Sequence, residues 1–231
     1  MILTPALLIL LILTAFAPSS LNAADLSVGA TAWYTAWDYE DDASDSPEYS
    51  PSFLYGPVFA LSMTERFSLS FVFLYGEFDM DIVSETMPIK RYDSDLALNY
   101  RITDYFKLFL GCKYAGFTWG TDGKHQAIGP GAGISAVIPL GGDLYLLGNA
   151  SGLYLWGEEE SGDDFNDPDS KYNEFGINSS LSIAYYIVPA STTISIGRRY
   201  QYFKTSYEKI TDELTHHFYG ITAAATYSFS L

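Results

Sequence analysis

The sequence predicts an all-β fold, an antiparallel transmembrane up-and-down β-barrel of ten strands, with eight strands as the alternative count. Three observations predict it. Ten segments alternate apolar with polar or small residues at a period of two, their connections alternate between short and long, and the composition is aromatic-rich without being strongly hydrophobic. Tyr and Phe number 19 and 15, aromatics make up 16% of the chain, and the mean hydropathy is only +0.06. A period of two gives a strand two different faces. Aromatic-rich alternation at near-neutral hydropathy is the pattern of a barrel in lipid.

The chain opens MILTPALLILLILTAFAPSSLNA, apolar from Ile2 to about Pro18 and then small or polar to Ala23. That profile predicts a signal peptide over residues 1–23, cleaved after Ala23, and an outer-membrane β-barrel domain over residues 24–231. No Lys or Arg precedes the apolar run, so an uncleaved anchor is the alternative. It is the weaker one, because the run falls short of the ~20 residues a spanning helix needs.

The alternating segments then follow in order. Leu26 to Ala36 and Phe53 to Leu61 come first, then FSLSFVFLY, which places Phe67, Leu69, Phe71, Phe73 and Tyr75 on one face. Tyr92 to Ile102 precedes YFKLFLGCKY, where Phe106, Leu108, Leu110, Cys112 and Tyr114 share a face. Ile128 to Leu140, Leu144 to Trp156, Phe175 to Ile187 and Thr192 to Tyr202 lead to the closing YGITAAATYSFSL. Its apolar set is Tyr219, Ile221, Ala223, Ala225, Tyr227, Phe229 and Leu231, and Gly220, Thr222 and Ser228 lie on the other face.

Short turns are expected at 64–66, 103–105, 141–143 and 189–191, and longer polar connections near 38–52, 78–90, 120–126, 157–173 and 204–214. Five long and four short connections require ten strands and leave both termini on the periplasmic side, where the short turns of such barrels lie. Closure follows from lipid, which permits no open sheet edge. A soluble sandwich also alternates, but here many apolar faces end in Tyr, Trp or Phe, as an interfacial girdle requires. Two residues fit badly. Pro57 predicts a bulge or an early strand end, and Arg198 falls on the lipid face unless a bulge beside Gly197 turns it inward. The single cysteine, Cys112, forms no internal disulfide and reads as a small hydrophobe.

With the apolar faces outward, the charged residues of the other faces line the lumen. They are Arg91, Asp93, Asp95, Arg101, Lys107 and Lys113 on two consecutive strands, with Glu174 and Arg199 further round the wall. Pairing around the turn at 103–105 sets Lys113 opposite Asp95, or opposite Asp93 after a two-residue shift. Either register gives an ion pair. The set describes a self-satisfying plug, since small barrels are filled by their own side chains; a polar pathway is the alternative. Trp33, Trp37, Phe109, Phe117 and Trp119 also face inward, and Gly129, Gly131 and Gly133 leave room for such rings to lie across the interior.

The connections carry the charge asymmetry behind the net −16. DYEDDASDSPEY and GEEESGDDFNDPDS hold acids without a Lys or Arg, a solvated, self-repelling surface. Asp163, Asp164, Asp167 and Asp169, with Asn166 among them, are hard oxygen donors that could take Ca²⁺ or Mg²⁺, although their spacing is not that of an EF-hand. No other cofactor is expected. Strong acidity argues against nucleic acid as a partner.

The leader, the run RYDSDLALNYRITDYFKLFLGCKYAGF as strand, tight turn and strand, and the aromatic last strand together resemble the small bacterial outer-membrane barrels of the OmpA-like and OmpW-like kind. The resemblance implies insertion into the outer membrane, contact with its lipid and lipopolysaccharide, and recognition of the C-terminal strand by the barrel insertion machinery. Leu231 stands where that family usually has Phe, with Tyr227 and Phe229 before it on the same face. No site residues are implied. Ten-stranded omptin proteases also place Asp and His at the outer rim, as Asp212 and His216 do, but this chain lacks their paired-Asp and Asp-x-His motifs. It lacks the His-x-Ser of lipid A deacylases too. His125, His216 and His217 are therefore expected as surface residues of the outer loops. The expected role is structural or surface-interacting, not enzymatic; a narrow passive, porin-like channel is the alternative, and an outer-rim enzyme is weaker still.

Overall fold

The computed structural model describes residues 25–40, 47–82, 85–120, 123–160, 170–208 and 213–230. The leader, the acids Asp163, Asp164, Asp167 and Asp169, and Leu231 lie outside the described residues. The elements are β1 (Asp25–Glu40), β2 (Glu48–Tyr49), β3 (Ser52–Ser62), β4 (Phe67–Ile82), β5 (Glu85–Arg101), β6 (Phe106–Trp119), β7 (Gly123–Gly141), β8 (Leu144–Glu160), β9 (Ser170–Ile187), β10 (Thr192–Tyr207) and β11 (Glu213–Ser230). Neighbours pair antiparallel throughout. β11 closes on β1 through Asp25↔Ser230 to Glu40↔Thr215, and β4 pairs with both β3 and β5. β2 is a two-residue ladder on β4, so the barrel wall has ten strands.

All four short turns form where the sequence places them, at what we term the turn end. One is a Gly141-Gly142 reversal whose φ of +115° and +58° suits residues without a Cβ. At the opposite, loop end the strands run well past their expected limits. β4 and β5 stay paired from Phe67↔Tyr100 up to Ile82↔Glu85, through most of the expected 78–90 connection. The cause is an inversion of phase. Near the turn end and in the middle, apolar side chains point out; beyond Tyr75 the outward residues are Glu77, Asp79 and Asp81, while Phe78, Met87 and Ile89 point in. The upper barrel thus carries an apolar interior of its own.

Between these zones the outer surface is a belt of exposed Leu, Ile, Phe and Tyr. Tyr34, Phe53, Tyr154, Trp156, Phe175 and Tyr219 rim it toward the loop end, and Phe67, Tyr100, Phe106, Tyr185 and Tyr227 toward the turn end. Two aromatic rims around an apolar band are the girdles of a barrel seated in a bilayer.

Neither expected bulge is present. β1 pairs straight through Ala30↔Pro57, and on the β4 side the ladder skips Gly56 and Pro57 and resumes in the same register from Tyr55↔Tyr75 to Val58↔Val72. The missing N–H of Pro57 costs a local bond, where the β4 ladder lapses without a change of register. β10 likewise keeps one register from Thr192 to Ser206 against β11. Arg198 therefore stays outside, exposed between Leu181 and Ile221. In lipid, a lone Arg on a barrel wall costs about 2–4 kcal/mol at mid-depth and less toward the interface.

Candidate functional site in the lumen

Every wall strand sends alternate residues inward, and these stack in layers along the bore. At the turn end is a polar cavity of about 300 Å³, lined by residues such as Ser70, Asn99, Ser135, Asn149, Ser180 and Thr222. Arg101 and Lys107 face each other across a strand pair nearer that rim, and Arg101 is exposed. Neither joins the buried ion pairs, which corrects their expected place in the network. Like charges tolerate this only where water reaches them.

The next layer is ionic. Asp93, fully buried, accepts from Lys113 Nζ at 2.8 Å, Arg91 Nη2 at 3.3 Å and Arg199 Nη2 at 3.4 Å. Asp95 accepts from Lys113 at 3.1 Å and Arg199 at 3.0 Å. Lys113 pairs in register with Asp95 and reaches Asp93 as well, so both expected pairings hold at once. Arg91 also donates to Gln201 Oε1 at 3.0 Å, and its guanidinium lies 3.4 Å from the Phe218 ring centroid. Arg199 lies over Trp33 at 4.9 Å. In the order of the closed sheet, β10 and β5 are diametrically opposed. Arg199 and Gln201 thus bind Asp93, Asp95 and Arg91 across the bore rather than along the wall.

A third layer, toward the loop end, is aromatic and contains two buried histidines. His125 is 3% exposed and His216 4%, which overturns their placement on the surface. The His125 ring is sandwiched between Phe117 (4.5 Å) and Tyr172 (4.3 Å). Its Nδ1 meets Glu159 Oε2 at 2.8 Å and its Nε2 meets Glu174 Oε1 at 3.1 Å. Both nitrogens face carboxylates, so both must donate, which only the imidazolium can do. Glu174 thus belongs to this cluster, where Thr205 also donates to it at 2.8 Å, and not to the ionic layer. His216 Nδ1 accepts from Trp37 Nε1 at 3.3 Å. His217 stays on the outer face, within 2.9 Å of the Tyr200 hydroxyl. Above this layer, Trp37, Tyr49, Trp119, Glu159 and Tyr207 frame a cup of about 230 Å³.

His125 and His216 lie beyond the belt, which ends at Ile128 on β7 and Tyr219 on β11. Burial depresses His216 strongly, to about 3, reinforced by the neighbouring His125 charge. For His125, burial opposes the charge, but hydrogen bonds to Glu159 and Glu174 outweigh it and raise the pKa above the ordinary 6.5. A raised folded-state pKa gives a stabilisation complete below the ordinary value and lost as pH climbs through the raised one. Urea unfolding should show wild-type stability declining from mildly acidic to alkaline pH, and His125→Gln losing that slope. Equal slopes would show that the His125 contacts with Glu159 and Glu174 do not set the pH dependence.

Glycine placement explains how the rings fit. Phe109 lies over Gly133, Trp119 over Gly123, Tyr172 over Gly157 and Phe203 over Gly176, and each pair stands directly opposite across a strand pair. Of the expected glycine platform, Gly133 serves in that way. Gly131 instead receives Leu153, and at Gly129 the backbone of Tyr154 leaves no room for a Cβ.

The closed ten-strand wall, belt and inward polar layers define the fold of the small bacterial outer-membrane β-barrels. No protein-family model matches the chain, and no curated protein matches it in sequence. In structure it is similar to the outer membrane protease OmpT from Escherichia coli, with TM-score 0.54 and 10% identity over 90% of this chain and 96% of that one. The β domain of the Bordetella autotransporter BrkA gives TM-score 0.49 and 6% identity over 90% and 100%. Neisserial surface protein A gives 0.42 and 11% over 90% and 97%. At 10% identity the likeness to OmpT is one of fold.

Proposed function

We propose that the protein is an integral outer-membrane barrel with its turn end and termini in the periplasm, its lumen closed by its own side chains, and a structural or surface-interaction role exercised at its acidic outer end. One observation carries this reading: Arg199 and Gln201 reach across the bore to Asp93, Asp95 and Arg91, between two cavities that share no lining residue. The role is non-catalytic. Outer-leaflet lipid, lipopolysaccharide and the barrel insertion machinery are its partners, and divalent cations at the acidic 157–170 segment remain part of the proposal. A narrow passive channel is the second reading, favoured by the polar cavity that rises to Asp95 and Arg199 from the turn end.

Conductance in planar bilayers separates the two. The wild-type barrel is expected to give no resolvable steps. Replacing Asp95 and Lys113 together with Ala should produce small ones, because it removes the Arg199–Asp95 link across the bore and the Lys113 bridge to Asp93 and leaves only Arg199–Asp93 and Arg91–Gln201 spanning the layer. Steps of equal size from both proteins would make the channel the better reading.

A further inference from the structure

Arg198 is the one charged side chain within the outward apolar belt among the described residues, and it carries the inference. Its side chain stands between Leu181 and Ile221 in the cross-strand direction, with Ile196 and Tyr200 as the outward positions before and after it on β10. A groove of about 700 Å³ opens there, with Ser179, Arg198, Tyr200 and Tyr219 at its sides and Gly220 along it. The hydroxyl of Tyr200 is engaged by His217, and that of Tyr219 by Asp38, so both rings are held at the groove margin.

Depth selects the occupant. A tilted strand rises about 2.5 Å per residue along the barrel axis. On the β11 side Arg198 stands two residues from the level of the loop-side rim at Tyr219 and six from that of the turn-side rim at Tyr227, while on the β9 side it stands four from Tyr185 and six from Phe175, which sets it near mid-belt and slightly toward the loop side. A long side chain at that level can snorkel to the interface on the loop side. We propose that Arg198 binds the phosphate of an anionic lipid in that leaflet, its acyl chains lying along Leu181 and Ile221. A guanidinium offers the planar, multi-donor match that a phosphate takes. A second copy of the chain is the poorer partner, because the belts of the described strands present no carboxylate to neutralise Arg198. The proposal rests on the outer-membrane reading above.

The test uses the full mature barrel, as wild type, Arg198→Leu and Arg198→Lys, refolded into vesicles of phosphatidylcholine containing lipid A, and into phosphatidylcholine alone. Heat-modifiable gel migration reports insertion for every sample. Native mass spectrometry after exchange into mild detergent then counts retained lipid. Wild type is expected to hold one lipid A. Losing a charge-assisted phosphate contact should lower retention about tenfold in Arg198→Leu, with Arg198→Lys between the two. Equal retention by wild type and Arg198→Leu would overturn the proposal, as would a wild-type dimer mass that disappears in Arg198→Leu. A wild-type chain that fails to insert would remove the outer-membrane reading itself, a different and separately visible failure.

Discussion

Replacing Asp93 with Asn is expected to destabilise the barrel by about 3–5 kcal/mol, the range for removing one partner of a buried ion pair. The substitution keeps the shape and deletes the charge on which Arg91, Lys113 and Arg199 all converge. Arg91 suffers most, because it is fully buried and its remaining polar partner is the neutral Gln201. Lys113 and Arg199 keep Asp95. Asp95→Asn should cost less, about 1 kcal/mol, since its side chain is 28% exposed and water can take over part of its role. Adding Arg91→Met to Asp93→Asn should recover part of the loss, because the stranded cation goes with it. Urea midpoints in vesicles measure all three. An Asp93→Asn protein within 1 kcal/mol of wild type would mean that the layer is hydrated and that Asp93 is not its hub.

That hub was partly legible in the sequence, and the limit has a geometric cause. Asp95 and Lys113 sit on strands joined by a tight turn, so counting back from 103–105 is enough to pair them. Arg199 meets the same carboxylates only because ten strands close with β10 opposite β5. Nothing local in the residues near Arg199 encodes a partner across a bore. Glu174 shows the converse. It shares the inward face with the ionic layer, but its strand position lifts it into the histidine layer, a difference of depth that alternation alone does not report.

Hydropathy alone sets the two buried histidines in the loops, because the strands continue where their outward face turns polar. Beyond the belt the outward face becomes polar and the inward face apolar, so the period of two survives while its phase of hydropathy flips. A usable signal was present. His125 continues the inward series of Ala127 and Gly129, and His216 that of Phe218 and Gly220. The parity of each strand, unlike its polarity, continues unbroken to both rings and turns them inward. The same parity, applied without a bulge, leaves Arg198 outside, where the structure has it.

The aromatic layer makes the second large effect. Replacing Gly157 with Val should destabilise the barrel by about 2–4 kcal/mol, above the usual cost of a crowded core position because a buried cation is unseated as well. A Cβ at residue 157 would coincide with the Tyr172 ring, which lies over the glycine from the facing position on β9. Tyr172 is 2% exposed and stacks on His125, so it cannot swing away without opening one side of the sandwich. The His125 imidazolium, tied to Glu159 and Glu174, would then lose an aromatic face and gain water. Gly157→Val should therefore also weaken the pH slope that His125 gives to stability. Trimming the ring in a Gly157→Val, Tyr172→Leu double variant should restore part of the unfolding midpoint, since the clash is relieved, but not the slope, since the sandwich is still open. Additive losses in the double variant would show that the two residues do not share one space.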